Sequence, residues 1–345
     1  MKTYFSTFIT GFDEVVAHAL KQRIKDVQIE LLSDGLVIYK TNTSADVVKQ
    51  LRFFNNTFVL LKQFPKLEKN PVNEMIRQAI RDSRIMPTIL SSVPKKKTRF
   101  RVMATQENQF VGMDKNLKEK MERIIGQNRN FVVDRAYPDI EFLFVVRREG
   151  YGLLGLRLTR HTSYEKILEK GEIYPELAHL LCLISEPHAQ DTFLDPFSGS
   201  GAIPVARALG FPYKTIYAGD IENTYVNKTK QKAKKVNKKI SVSKWNALHL
   251  NNFTDNSIDK IVTDPPWGLH VGKELNLEKF YEDMLKEFYR ITKTQGMMVI
   301  LVAKKDLFES VLNNFTDKLK LLKRYDTLVS GQKAGVYKIQ KVAKL

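Results

Sequence analysis

Three aspartates, each closing a short apolar run, are the residues of this chain best placed for chemistry: Asp195, Asp220 and Asp264. Asp195 opens the stretch Asp195-Pro196-Phe197-Ser198-Gly199-Ser200-Gly201, between a strand expected at 192–194 and a helix expected at 202–209. Glycines in such a place let the backbone turn steeply and come close to a ligand, at a helix N-terminus whose N–H groups are free. That context suits a nucleotide-like ligand. A phosphate-binding GxxxxGK[ST] loop is excluded because Ala202-Ile203 follow Gly201, and a dinucleotide GxGxxG because Pro204 replaces its third glycine. Asp195 is placed instead to accept a hydrogen bond from a cationic amine of the ligand. A turn that binds nothing is the competing reading of this stretch taken alone.

The next apolar run ends Gly219-Asp220-Ile221-Glu222, and an acid there can take both hydroxyls of a ribose. Asp220 equally suits the N-cap of the helix that follows, and the two roles are compatible. A third run ends Trp245-Asn246-Ala247, where Asn246 is placed to read an adenine edge. The fourth ends Thr263-Asp264-Pro265-Pro266-Trp267-Gly268. Two consecutive prolines fix the backbone in an extended arc and remove two donors, so acceptors face the site: the Asp264 carboxylate and the Pro265 carbonyl. An exocyclic amine presents two N–H groups and a lone pair delocalised into its ring. Acceptors on both hydrogens draw the nitrogen toward pyramidal geometry and aim the lone pair at an electrophilic methyl, which is catalysis by positioning and charge placement. Trp267 offers a face on which a base stacks. The bland reading is an Asp-Pro turn after a strand.

Composition narrows the partners. Lys and Arg number 56 against 38 Asp and Glu, a formal charge of +18 that a polyanion such as nucleic acid makes tolerable. A solvated lysine-rich surface is the alternative. The one cysteine, Cys182, lies in the apolar run Leu180-Leu181-Cys182-Leu183-Ile184, as a core thiol does, which argues against thiol nucleophilic chemistry. The six histidines lack metal-ligand spacing, so no metal is expected. No apolar run approaches the roughly 20 residues that span a bilayer, and no secretory segment opens the chain, so a soluble, cytoplasmic protein without a membrane partner is expected.

The elements that must position these residues fall into three regions. Residues 1–65 read strand, helix, strand, strand, helix, strand, with a hairpin signal at Ser33-Asp34-Gly35, and suggest a ferredoxin-like α+β domain. Residues 66–160 form a second α+β domain: helices at 72–81 and 115–125, strands at 100–105, 131–134, 140–147 and 153–158. A linker follows at 161–188, carrying a helix at 175–185. From 189 to 345 strands alternate with helices, which argues an α/β, parallel, doubly wound sheet, with strands at 319–325 and 335–342 as an antiparallel edge hairpin. Two basic stretches are candidates for RNA contact. One comprises Lys95, Lys96, Lys97, Arg99 and Arg101. In the other, Lys228, Lys232, Lys235 and Lys239 share one stripe of the helix at 222–236, opposite Val226, Ala233 and Val236. A solvated amphipathic face explains that stripe as well as phosphate contact does.

The stretch 195–201, Asp220 and Asp264-Pro265-Pro266-Trp267 together resemble class I S-adenosylmethionine-dependent methyltransferases, and the last motif resembles the (N/D)PP(Y/F/W) signature of enzymes acting on amino groups of nucleic-acid bases. Phe100-Arg101-Val102, Pro138-Asp139-Ile140-Glu141, Leu156-Arg157-Leu158 and Gly171-Glu172-Ile173-Tyr174-Pro175 resemble a THUMP domain and its connection to such a methyltransferase. The family resembled is the THUMP-containing tRNA guanosine N2-methyltransferases acting at position 6 or 10. The resemblance implies a Rossmann-like, seven-stranded catalytic domain whose last strand runs antiparallel, and THUMP at 66–160 as the domain that binds tRNA. It implies S-adenosylmethionine held by Asp195, Pro196, Ser198, Gly199, Ser200, Gly201, Asp220, Ile221, Asn246, Ala247 and Asp264, with Asp264, Pro265, Pro266 and Trp267 as the catalytic set. The family usually has Asp where Asn246 stands. Methylation of rRNA guanine N2 or of nucleic-acid adenine N6, and an inactive RNA-binding module, are the alternatives.

Overall fold

The computed structural model describes residues 1–93, 96–107, 109–128, 130–159, 172–268, 272 and 274–343. Two compact units are present: Met1–Thr7 with Lys21–His161, and Phe8–Leu20 with Thr162–Leu345. Along the chain β1 (Lys2–Thr7), α1 (Asp13–Arg23), β2 (Gln28–Ser33), β3 (Leu36–Thr41), α2 (Ala45–Val48) and β4 (Asn56–Phe64) follow the expected order, the four strands and α2 in the first unit and α1 up to Leu20 in the second. The sheet runs β2-β3-β1-β4, antiparallel throughout, and Gly35 at φ 76 makes the β2–β3 turn.

The chain continues through α3 (Pro71–Arg81), α4 (Ile85–Ser92), β5 (Thr98–Gln106), β6 (Gln109–Phe110), α5 (Lys115–Gly126), β7 (Phe131–Val133), β8 (Ile140–Val146) and β9 (Gly152–Arg157). These strands do not form a sheet of their own. β9 pairs antiparallel with both β4 and β8, so one sheet continues from β2 through to β6. Every residue of β9 is buried, a strand that needs neighbours on both edges and cover on both faces. Gly155 fits that position because a Cβ there would lie 2.5 Å from the Phe5 ring, which stacks on Phe58 at 4.5 Å.

In the second unit α6 (Pro175–Ile184), β10 (Thr192–Asp195), α7 (Ala202–Gly210), β11 (Thr215–Asp220), α8 (Asn223–Lys235), β12 (Ser241–Lys244) and β13 (Ile258–Thr263) precede α9 (Leu277–Ile291), β14 (Thr292–Val302), α10 (Lys305–Asn313), β15 (Leu319–Val329) and β16 (Gln332–Lys341). Among the described residues this sheet has seven strands in the order β12-β11-β10-β13-β14-β16-β15. Neighbours from β12 to β14 are parallel, and β16 runs antiparallel to both β14 and β15. Within the expected hairpin β16 therefore lies inside and β15 forms the edge. Strand order reverses at β10, so the carboxyl ends of β10, β11 and β13 open one crevice, the place where ligands bind in such sheets. Beneath it Ile258, Ile261, Tyr281, Met284, Phe288, Met298 and Ile300 pack as a closed apolar core.

The edge strand β15 is covered by the chain's own beginning. Thr327 Oγ1 donates to the Thr10 carbonyl at 2.9 Å, Phe12 lies 5.9 Å from the Tyr325 ring, and Lys323 pairs with Glu14. Gly11, at φ 88, passes so close that a Cβ would sit 1.9 Å from the Asp326 carbonyl oxygen.

Candidate active site

The crevice is built from strand ends that hydrogen-bond to one another. Asp195 is 1% exposed, and its Oδ1 accepts from Thr263 Oγ1 at 2.7 Å and from the Phe197 N–H at 3.3 Å. Its Oδ2 has no donor among the described residues. Burial pushes this carboxyl up to about 8, against the pull of the Thr263 and Phe197 donors. Because Thr263 precedes Asp264, the same bond ties the strand before the glycine loop to the strand that carries the double proline.

Asp220 holds the glycine loop as well as its own turn. Its Oδ2 accepts from the Gly199 N–H at 3.0 Å and its Oδ1 from the Glu222 N–H at 3.0 Å, while burial raises its pKa. The N-cap of α8 is Glu222, so the capping role foreseen for Asp220 is confined to that local turn. Gly199 and Gly201 have φ 49 and 86, and a Cβ on Gly201 would lie 2.9–3.1 Å from Thr229. Ser198 is buried with Thr229, Pro196 accepts the Trp245 indole N–H at 3.3 Å, Ile221 is exposed, and Ala247 is buried. Trp245 also fills the space over Gly219, where a Cβ would be 2.1 Å from its ring.

Asn246 bends back on its own turn, its Oδ1 accepting from the Leu248 N–H at 3.0 Å. The side chain therefore spends its acceptor locally and presents an amide donor, the reverse of the aspartate usual in the family resembled. A cavity of about 220 Å³ beside it is lined by Lys244, Trp245, Asn246, His249 and residues 250–253, away from Asp195 and Asp264.

Asp264 is half-buried and its enclosure pushes the carboxyl up to about 7, while the Trp267 indole N–H donates to Oδ1 at 2.8 Å. Oδ2 carries no hydrogen bond among the described residues. Pro265 is buried and Pro266 half-buried, as an arc turned against the core requires.

The basic residues divide. Lys95 lies outside the described residues, and Lys96 and Lys97 are exposed. Arg99 forms a fork on Asp139 at 3.0 and 3.2 Å, and Arg101 pairs with Glu141, so both guanidinium groups are committed to carboxylates of the same sheet. Lys235, the last residue of α8, and Lys239 beyond its end are exposed, whereas Lys232 leaves the expected stripe: its Nζ lies 3.0 Å from Ser200 Oγ and pairs with the half-buried Glu172, which accepts from Ser200 at 2.9 Å. Glu172, Lys232, Thr229, Trp245 and Thr263 are the loop's supports that spacing alone does not single out. Cys182 is fully buried and burial pushes its thiol far up, leaving no nucleophile there. Among the described residues no cluster of His, Cys, Asp or Glu could hold a metal, and no helix is long and apolar enough to cross a membrane.

Comparison with known proteins identifies the family and the fold. A family described as RMKL-like, methyltransferase domain, matches residues 162–327. The tRNA (guanine(6)-N2)-methyltransferase of Thermus thermophilus is 26% identical over 219 residues, 62% of this chain and 64% of that protein. The probable tRNA (guanine(10)-N2)-dimethyltransferase of Methanothermococcus thermolithotrophicus is 30% identical over 137 residues, 38% of this chain and 81% of that protein. The chain thus spans a little under two thirds of the Thermus relative and most of the shorter archaeal one. The crystal structure of TrmN from Thermus thermophilus superposes with a TM-score of 0.76 at 20% identity, covering 99% of this chain and 100% of that one, a shared fold of class I methyltransferase type. With the glycine loop, the strand-end acids and the sheet order in place, these matches establish that the chain belongs to the S-adenosylmethionine-dependent tRNA guanosine N2-methyltransferase family.

Proposed function

We propose that this protein transfers a methyl group from S-adenosylmethionine to the exocyclic N2 of a guanosine in tRNA, at a position of the 6 or 10 type. The carrying observation is the Asp264 carboxylate, whose Oδ2 accepts no hydrogen bond among the described residues, on a double-proline arc tied through Thr263 to Asp195. The residues present fit the cofactor: the loop is open at Gly199, where an added Cβ meets nothing within 4 Å, and Asp195 is a buried acid whose Oδ2 accepts no hydrogen bond among the described residues. Asp195 would take the cofactor's amino group, which offsets the cost of burying that charge. Asp220 would take the ribose hydroxyls, with Ile221, Asn246 and Ala247 around the adenine.

When bound, S-adenosylmethionine would supply an electrophilic methyl on its sulfonium, the thioether being the leaving group. Asp264 Oδ2 and the Pro265 carbonyl accept the two N–H groups of the amine and turn its lone pair outward. The carboxylate then takes the proton that the nitrogen must shed. Trp267 stacks on the base. Residues 66–160 would serve as the THUMP domain that grips tRNA, with Lys96 and Lys97 facing phosphate, and work on tRNA would fall in the cytoplasm. A stem guanosine has to be flipped out to reach the crevice.

Methyl transfer onto tRNA transcripts, rRNA fragments and DNA, followed by nucleoside mass spectrometry, tests the reading. N2-methylguanosine in tRNA is expected; activity on DNA alone overturns it.

A further inference from the structure

The three strand-end aspartates differ in how their carboxylates are held. Asp195 is held by the backbone N–H of Phe197 and Asp220 by that of Glu222, in each case two residues further on. The corresponding residue for Asp264 is Pro266, which has no N–H, and the intervening Pro265 has none either. The double proline that presents acceptors to an amine thus strips Asp264 of the donor that orients its two counterparts. One donor replaces it: the Trp267 indole N–H, 2.8 Å from Oδ1. A buried carboxylate left without a donor is costly and adopts no fixed orientation.

We infer that Trp267 is a positioning residue whose indole N–H substitutes for the backbone donor missing at Pro266, pinning Asp264 Oδ1 so that Oδ2 alone faces the amine. This rests on the amine reading above and adds a second function to a ring otherwise needed only for its face. Phenylalanine in its place would stack but not donate. The groups facing Asp264 from the packed elements are Asp195 on β10 and Tyr281 on α9, both of which feel its charge. The Tyr281 hydroxyl is buried and has no partner among the described residues, so it does not supply the missing bond. Burial pushes Asp264 up to about 7 and the indole donor opposes that rise, so its removal moves the carboxyl further up.

The experiment compares the pH dependence of kcat/KM for the wild-type chain, Trp267→Phe and Asp264→Asn. For Trp267→Phe the acid limb is expected to move up by about one pH unit, the effect of one charge-assisted hydrogen bond. That lowers kcat/KM about tenfold at pH 6 and leaves the two proteins nearly equal at pH 9. Cofactor affinity by calorimetry is expected to stay within about twofold, because the Trp267 indole donates to Asp264 and not to the glycine loop. A loss of equal size at every pH means that the ring only stacks and overturns the inference. Asp264→Asn is expected to be inactive throughout; if it turns over normally, the amine reading itself fails. A second measurement uses the wild-type protein: only Trp245 and Trp267 carry indole N–H groups, so two signals appear in a ¹⁵N spectrum. One of them is expected to titrate with a midpoint near 7, and to stop titrating in Asp264→Asn. If neither signal titrates, the indole does not report on Asp264 and the inference is wrong.

Discussion

Asp195→Asn removes a buried ionisable group while keeping the side chain's size and its acceptor for Thr263. In the native protein burial holds this carboxyl up to about 8, and the Asp264 and Asp220 charges push the same way. In the unfolded chain it ionises near 4. Between those values the unfolded chain releases a proton that the native state retains, so native stability is lost as pH climbs from about 4 to about 8. The limiting slope is about 1.4 kcal/mol per pH unit; relaxation around the site reduces the total to roughly 2–4 kcal/mol. Asparagine carries no such penalty, and Asp264 remains in both proteins and cancels. At roughly 2–4 °C per kcal/mol for a unit of this size, the wild type should lose about 3–12 °C more in Tm between pH 5 and pH 8 than the variant does. Scanning calorimetry of cofactor-free protein at the two pH values gives the double difference. Parallel shifts in the two proteins would refute the picture of Asp195 as an acid whose ionisation burial opposes until the cofactor arrives. That picture also requires cofactor binding at pH 7 to release close to one proton, read from calorimetric heats in buffers of different ionisation enthalpy.

Gly201→Ala meets both a φ of 86 and Thr229 at 2.9–3.1 Å, so it should cost about 1–3 kcal/mol by denaturant titration and weaken cofactor binding at least tenfold. Gly199→Ala, at φ 49 with open space around it, should be the milder of the pair. Asp264→Ala should abolish methyl transfer while tRNA affinity by filter binding stays within about twofold; lost RNA binding with intact turnover would contradict its role. Each of Lys96→Ala and Lys97→Ala should weaken tRNA binding and flatten the logarithmic salt dependence by about one. Arg99→Ala should show its main effect in thermal stability instead, because its fork on Asp139 is lost.

The strand-end acids were legible because local rules converge there: an apolar run, an acid, glycines or prolines, then helical spacing. What stayed hidden depends on partners distant in sequence. Parallel pairing of β5 with β8 sets Arg101 directly opposite Glu141, and that register turns a basic stretch into a row of ion pairs. Lys232 fits the lysine stripe on a helical wheel, yet Glu172, 60 residues earlier, draws it to the glycine loop. The helix α4 carries Pro87 in its first turn, where its missing N–H costs little, so a proline that reads as a breaker is tolerated. The fusion of β4 with β9 merges two expected domains into one sheet, because the edges of β4 and β9 satisfy each other and neither periodicity names its partner.

Residues 8–20 have a consequence for the order in which this chain matures. Their bonds to β15 close loops of more than 300 residues: Thr327 meets Thr10 317 positions away, and Lys323 meets Glu14 309 away. At a synthesis rate of about 5–20 residues per second, the first segment waits roughly 15–60 s on the ribosome before its partner strand exists. Until then Phe12, fully buried in the finished protein, has no docking surface. The catalytic half therefore completes itself only when the last strands leave the exit tunnel, and a chain stalled before residue 319 would display an apolar N-terminal segment to chaperones and proteases.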